Sequence, residues 1–241
     1  METKEWFTDW FNTPYYHILY KDRNNADAQI FMKNMMSFLN LSKDAHVLDL
    51  PCGKGRHSHY LNSLGYQVTG LDLAENSIKE AKKINNERLD FKVHDMRLPF
   101  NEKYDAIFNL FTSFGYFEDE AVDISILQNI KNGLKKKGVF VFDFLNVELV
   151  KKNLVRNETK IVDGISFYIT RNIKDGFITK NIQFVINDKN HSFTERVKYL
   201  GEKQLKLYFH KVGLKIQHTF GDYHLKDFNS NTSNRLILVA K

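Results

Sequence analysis

The run Val47-Leu48-Asp49-Leu50-Pro51-Cys52-Gly53-Lys54-Gly55-Arg56-His57 constrains this chain more than any other stretch. A short apolar strand enters a turn punctuated by two glycines and a helix follows. A second strand, Gln67-Val68-Thr69-Gly70-Leu71-Asp72, then closes on an acid. Strand, glycine turn, helix, strand and acid in that order open a doubly wound α/β sheet. Gly53 and Gly55 supply backbone that approaches a ligand closely or takes a positive φ. Asp72, at the carboxyl end of its strand, is placed to accept hydrogen bonds from two ribose hydroxyls. Two details separate the turn from a dinucleotide fingerprint. Position three after Gly55 is Ser58 rather than glycine, and Asp49 stands just before the turn. A carboxylate there repels a pyrophosphate but suits an amino-acid ammonium, directly or through water.

Asp49-Leu-Pro-Cys-Gly53-Lys-Gly55, followed by "GYQVTGLDL", resembles the first motifs of the class I S-adenosylmethionine-dependent methyltransferases, in particular their small-molecule branch. The resemblance continues through a third strand, Leu89 to His94, into Asp95-Met96, and a fourth, Tyr104 to Leu110. It implies a Rossmann-like, mostly parallel, seven-stranded sheet with S-adenosyl-L-methionine as cofactor. It also implies that Asp95 bonds the adenine amino group, that Met96 packs on the ring, and that Asn109 and Leu110 reach the edge of the active site. The cofactor set expected on these grounds is Asp49, Cys52, Gly53, Gly55, Asp72, Leu73, Asp95, Met96, Asn109 and Leu110, joined by Tyr16 and Arg23 from an N-terminal lid. Asp95 read alone equally caps the next turn.

The 241 residues fit one domain, or one domain with an insertion. No apolar run reaches membrane-span length, and the acidic, aromatic N-terminus lacks a signal core, so a cytoplasmic protein is expected. The single cysteine excludes an intramolecular disulfide and a cysteine zinc cluster, and no metal is expected. The net charge of +6 comes from dispersed lysines. That pattern suits a solvated surface better than a nucleic-acid footprint. Lys135-Lys136-Lys137 reads as a helix end before Gly138.

Residues before Lys43 read as helices broken at Pro14, a candidate lid whose Tyr15, Tyr16, Tyr20 and Arg23 face ligand or simply pack. From 45 to 146 strands alternate with helices near 56–64, 76–87 and 119–132, with Asn76 or Ser77 capping the second. The fifth strand, Gly138 to Phe144, is apolar enough to be covered on both faces. Period-two alternation and Asp-Gly turns then predict four antiparallel strands near 157–162, 165–174, 177–187 and 191–200. The expected domains are therefore a cofactor-binding unit over 1–145 and 201–241, and a β-insertion over 146–200. Similar insertions in small-molecule members, including amino-sugar N-methyltransferases, roof the substrate pocket or make a homodimer contact. A helix near 202–212 and strands near 214–221 and 234–240 finish the sheet.

Methyl transfer from a sulfonium is an in-line displacement with an activated leaving group, so alignment and water exclusion matter more than a fixed triad. Tyr116 and Ser113, in the aromatic run after the fourth strand, are the first catalytic candidates. His191, Glu195, His210, Asp222, Tyr223 and His224 are candidate bases, with His210 and Tyr223 carried forward. Arg171, Arg196 and Arg235 are candidates to pair with an acidic substrate or with structural acids. His57 and His59 do not share a helix face, which argues against a metal pair. The run Asn109-Leu110-Phe111-Thr112 lacks the two prolines of base-amine methyltransferases, and the only cysteine lies in the cofactor loop, which closes cytosine C5 chemistry. The expected acceptor is a small molecule methylated on nitrogen, oxygen or carboxylate. An RNA or protein methyltransferase and a non-catalytic cofactor-binding protein are the alternatives.

Overall fold

The computed structural model describes residues 5–21 and 25–241; Arg23 lies outside the described residues. Its main sheet is built from β1 (His46–Asp49), β2 (Gln67–Asp72), β3 (Leu89–Val93), β4 (Tyr104–Asn109), β5 (Leu134–Leu145), β10 (Ile216–Phe220) and β11 (Arg235–Ala240). The strand order is β10-β11-β5-β4-β1-β2-β3, and only β11 runs against the others. The order reverses between β1 and β4, which opens a crevice at their carboxyl ends.

The sheet is buried on both faces because its central strands offer apolar side chains to each. On β5, Phe140, Phe142 and Phe144 join Ile126, Leu127 and Ile130 of α6 (Glu120–Gly133) and Leu205 and Phe209 of α8 (Glu202–Lys211). Val139 and Val141 face the other way, toward α3 (Asn25–Leu39), α4 (Arg56–Ser63) and α5 (Glu75–Ala81), where Phe31, Met35, Leu61 and Ile78 sit. Each phenylalanine so buried contributes roughly 1.5–3 kcal/mol.

A second sheet, β6 (Asn157–Val162), β7 (Ile165–Lys174), β8 (Phe177–Ile186) and β9 (Lys189–Lys198), is antiparallel throughout and follows α7 (Val147–Lys152). Its inner face packs Phe167, Ile169, Ile182 and Phe184 against Trp10 and Leu19 of the N-terminal helices α1 (Trp6–Trp10) and α2 (Pro14–Leu19). Pro14 is the first residue of α2, where its missing N–H costs nothing, and Thr13 caps the helix through Tyr16 N–H.

Three local expectations need correction. Lys135–Lys137 belong to β5, which begins immediately after α6 ends at Gly133; pairing of Leu134 with Tyr104 of β4 outcompetes the helix. The predicted 76–87 helix starts at Glu75 and ends at Ala81 in a 3₁₀ turn, Lys82–Ile84. Neither Asn76 nor Ser77 caps it, because Ala74 is the N-cap. No described helix is long and apolar enough to cross a membrane.

The β-sheet insertion is tied to the core through a buried ion pair. Lys198 Nζ lies 2.6 Å from Asp123 Oδ2, with side chains 9% and 0% exposed. Burial pushes the Asp123 carboxyl up to about 6 while Lys198 pulls it down. Lys198→Met, which leaves that carboxylate buried and alone, is expected to cost about 3–5 kcal/mol in urea unfolding. The double change to Asp123→Leu/Lys198→Met is expected to recover most of the loss.

Candidate active site

The glycine turn between β1 and α4 is fastened by the acid that ends β2. Asp72 Oδ2 accepts from Gly53 N–H (2.7 Å) and Oδ1 from Ala74 N–H (2.8 Å). Each oxygen keeps acceptor capacity, on the wall of a cavity of about 620 Å³. Burial raises the Asp72 carboxyl above its usual range, against three backbone hydrogen bonds. A buried carboxylate with unused lone pairs gains from donors such as ribose hydroxyls.

The two glycines of the turn do different work. Gly53 has φ +56°, and a Cβ there would meet nothing within 4 Å. It lines the cavity, so the missing Cβ leaves room for a ligand. Gly55 is off the wall; with φ +79° it starts α4, and a Cβ would meet Phe91 Cζ at 2.4 Å. Gly70 is pressed against the same ring at 2.4 Å. Gly55, expected at the cofactor, is therefore required by packing.

Of the other cofactor expectations, Tyr16, Cys52, Leu73, Asp95, Met96 and Leu110 lie on the cavity wall. Asp49 and Asn109 do not. Asp49, 1% exposed, accepts from Ser58 Oγ at 2.6 Å, and burial pushes its carboxyl up to about 7. It braces the start of α4 from beneath. Asn109 donates to the carbonyls of Leu50 (3.0 Å) and Ser113 (3.2 Å), fixing the floor. Burial and then Asp49 and Asp72 drive the Cys52 thiol well up, so it stays protonated. Asp95 is gripped by Arg97 through Nε (2.9 and 3.0 Å) and Nη2 (2.6 Å), and Arg97 Nη1 also donates to Glu5 ahead of α1 (2.7 Å). Burial alone would raise the Asp95 carboxyl, but the hydrogen bonds and charge of Arg97 outweigh it and hold it low.

The catalytic candidates divide. Tyr116 and Ser113 are on the wall; Tyr116 OH donates to Thr112 O (2.9 Å), and its ring stands 5.0 Å from Trp6. His210 is on the exposed face of α8, because Leu205, Tyr208 and Phe209 take the buried face. Tyr223 is off the wall too: its ring packs on Phe31 and Phe111, behind the cavity. Glu195 reaches the wall from β9 and accepts from Trp10 Nε1 (2.8 Å) and Tyr20 OH (2.6 Å). His191 stacks on Phe184, and Asp222 accepts from His224 and Lys226 N–H groups within its own turn. Arg171 pairs with Glu158, Arg196 with Glu118 and Arg235 with Asp143. Only Arg235 of these lines the cavity.

Sequence reasoning passed over His17, weighed His57 only as half of a metal pair, and included Thr112 in the run after the fourth strand without singling it out; all three lie on the wall. His57 stands two residues after Gly55, in the first turn of α4, which was signal enough. It stacks on Phe111 (4.8 Å, 13°). Burial and then Arg56 hold it down to about 3, and burial and then Lys54 hold His17 down to about 4. Phe111 and Thr112 have φ of +57° and +66°. Two consecutive left-handed residues cost about 1–3 kcal/mol each and persist where neighbours over-determine them. No group of three or more His, Cys, Asp or Glu residues able to hold a metal occurs among the described residues.

The methyltransferase-domain family model matches residues 41–203, more than half the chain. The putative methyltransferase YqeM of Bacillus subtilis is 31% identical over 108 residues, covering 43% of this chain and 44% of that protein. The chain thus matches less than half of that relative's length. Among solved structures, an S-adenosylmethionine-dependent methyltransferase from Clostridium acetobutylicum superimposes with TM-score 0.80 at 22% identity, over 94% of this chain and 95% of that one. CalS10, an amino pentose methyltransferase from Micromonospora echinaspora solved with S-adenosylmethionine bound, gives TM-score 0.72 at 16% identity, over 95% and 97%. The chain belongs to the methyltransferase-domain family and has its class I, Rossmann-like fold.

Gly53→Ala is expected to weaken S-adenosylhomocysteine binding at least about ten-fold in calorimetry, with an unfolding cost near 1 kcal/mol from the left-handed backbone alone. Gly55→Ala is expected to cost about 2–3 kcal/mol in unfolding, since Phe91 must move. Below pH 6.5 the unfolded chain takes up a proton at His57 that the folded chain refuses down to about 3, so this group loses stability for the fold as pH falls. His57→Gln removes that loss. Its stability relative to wild type is expected to rise by about 1.4 kcal/mol per pH unit between pH 6 and 4, read from urea unfolding at each pH.

Proposed function

We propose that the protein transfers the methyl group of S-adenosylmethionine to the nitrogen of a small-molecule amine. The observation that carries this reading is the continuity of one cavity. It runs from Gly53, Asp72 and Asp95 to a second wall of Tyr20, Leu145, Val197 and Glu195, supplied by the residue that caps α2 and by β5 and β9. Pockets of this order hold a nucleoside-sized cofactor together with a small partner. Held against the first wall, the cofactor would supply a methyl on a sulfonium, whose sulfur leaves as a neutral thioether while the positive charge passes to the acceptor.

The chain's own residues have two tasks. Trp6, Phe7, Phe11, Tyr116 and Phe117 line the cavity with rings that exclude water. The second task is to present the acceptor as a neutral amine, because an ammonium has no lone pair to attack with. On the wall, burial and then Lys54 favour the neutral form of His17, and burial and then Arg56 that of His57. An amine seated beside them is pushed toward its neutral form by the same burial and charges. CalS10, an amino pentose methyltransferase, is consistent with such an acceptor.

Transfer of labelled methyl to a panel of small amines, against matched alcohols and carboxylates, tests the reading; transfer confined to the oxygen acceptors would refute it. Asp72→Asn keeps the shape but not the charge of the ribose-facing acid. It is expected to weaken S-adenosylhomocysteine binding ten-fold or more, and an unchanged affinity would remove Asp72 from the cofactor site.

A further inference from the structure

Asp143 is the one acid in the apolar core of β5, and it is 0% exposed. Its Oδ2 accepts from Phe111 N–H (2.9 Å), its Oδ1 from Arg235 Nε (2.7 Å), and its backbone carbonyl from Thr112 N–H (3.0 Å). Arg235 Nη2 in turn donates to Thr112 Oγ1 at 2.9 Å. Acid and guanidinium together hold the two left-handed residues at the carboxyl end of β4.

This arrangement fixes where the Thr112 proton goes. A guanidinium only donates, so Thr112 Oγ1 is the acceptor in that contact, and its own hydrogen must point elsewhere. Among the described residues nothing accepts it, and Thr112 lies on the cavity wall with Leu145 and Val197. Ser113, next along the wall, is set the opposite way. Its hydroxyl donates to Leu110 O (2.8 Å), which leaves an oxygen that only accepts. Neighbouring side chains thus offer one donor and one acceptor where β4 ends.

We propose that Thr112, oriented by the positioning residues Asp143 and Arg235, donates a hydrogen bond to the methyl acceptor. It thereby selects an amine with a hydroxyl or ether oxygen on the adjacent carbon. The oxygen meets Thr112, and an N–H of the amine meets Ser113, which leaves the nitrogen lone pair for the methyl group. The inference rests on the amine reading above and deepens it.

A minimal pair of probes tests it: trans-2-aminocyclohexanol and cyclohexylamine, which differ by one hydroxyl, each titrated by NMR into the wild-type protein saturated with S-adenosylhomocysteine. The aminoalcohol is expected to bind at least ten-fold tighter. Thr112→Val should abolish that preference while leaving S-adenosylhomocysteine affinity within two-fold, and Thr112→Ser should retain it. Equal binding of the two amines to wild type, binding of neither, or a preference that survives Thr112→Val overturns the assignment. The wild-type comparison decides without any variant having to fold. Preferential binding without methyl transfer would sink the nitrogen-transfer reading and leave the Thr112 assignment standing.

Discussion

The carboxyl edge of the main sheet is held together by acids whose charge has been taken out of water. Asp49, Asp72 and Asp143 end or nearly end β1, β2 and β5, and each captures the donors of the loop that follows or crosses it. A carboxylate in that position is costly unless its oxygens are filled, so the donors are compelled to come to it. Ser58 is drawn in at the start of α4, Gly53 and Ala74 around the glycine turn, and Phe111 and Arg235 over β4. The cavity's shape follows from these captures, and the two faces of apolar packing beneath keep the strands that carry the acids in register.

Most of the sheet was legible because its signals are local and redundant. Alternation of strand and helix, a glycine turn and an acid at a strand end each leave a trace in a short window. The β-insertion was equally legible, since Asp163-Gly164 and Asp175-Gly176 sit at positive φ in the hairpin turns. The site was only half legible. Which face of α8 looks inward depends on Leu205 and Phe209 finding Phe140 and Phe142, partners more than sixty residues away, so His210 gave no sign that it would point to solvent. Asp143 did give a sign, a charge inside Val-Phe-Val-Phe-Asp-Phe, but its partners Phe111 and Arg235 are reached only through the fold. The length of β5 was misread because three lysines suit a helix end and an exposed strand equally well.

The N-terminal helices have their own core, and it is shared with the insertion sheet rather than with the main one. Trp10, buried in that core, hands its indole N–H to Glu195 of β9, and Tyr20 does the same from the end of α2. The cavity wall that carries Glu195 is therefore framed by two stretches more than a hundred residues apart in sequence, packed on one another. The wall that carries Gly53 and Asp72 is framed by the continuous run from β1 to β4. Near the glycine turn and the ends of β2 and β3, Glu5 accepts from Arg97 and Asn12 from Asn76, and further along Lys198 N–H donates to Gly115 O (2.7 Å), so hydrogen bonds join the halves at several points.

The ring of Phe91 occupies the space that a Cβ would need at both Gly55 and Gly70. The three positions are consequently not free to drift one at a time. Either glycine can acquire a side chain only after the aromatic on β3 has become smaller, and a smaller residue there opens a void under the turn until a glycine is replaced. Descendants of this sequence would have to cross a less stable intermediate to leave the present combination. The glycines would then persist in a lineage that had stopped using the cofactor, outlasting the activity they are usually taken to signify.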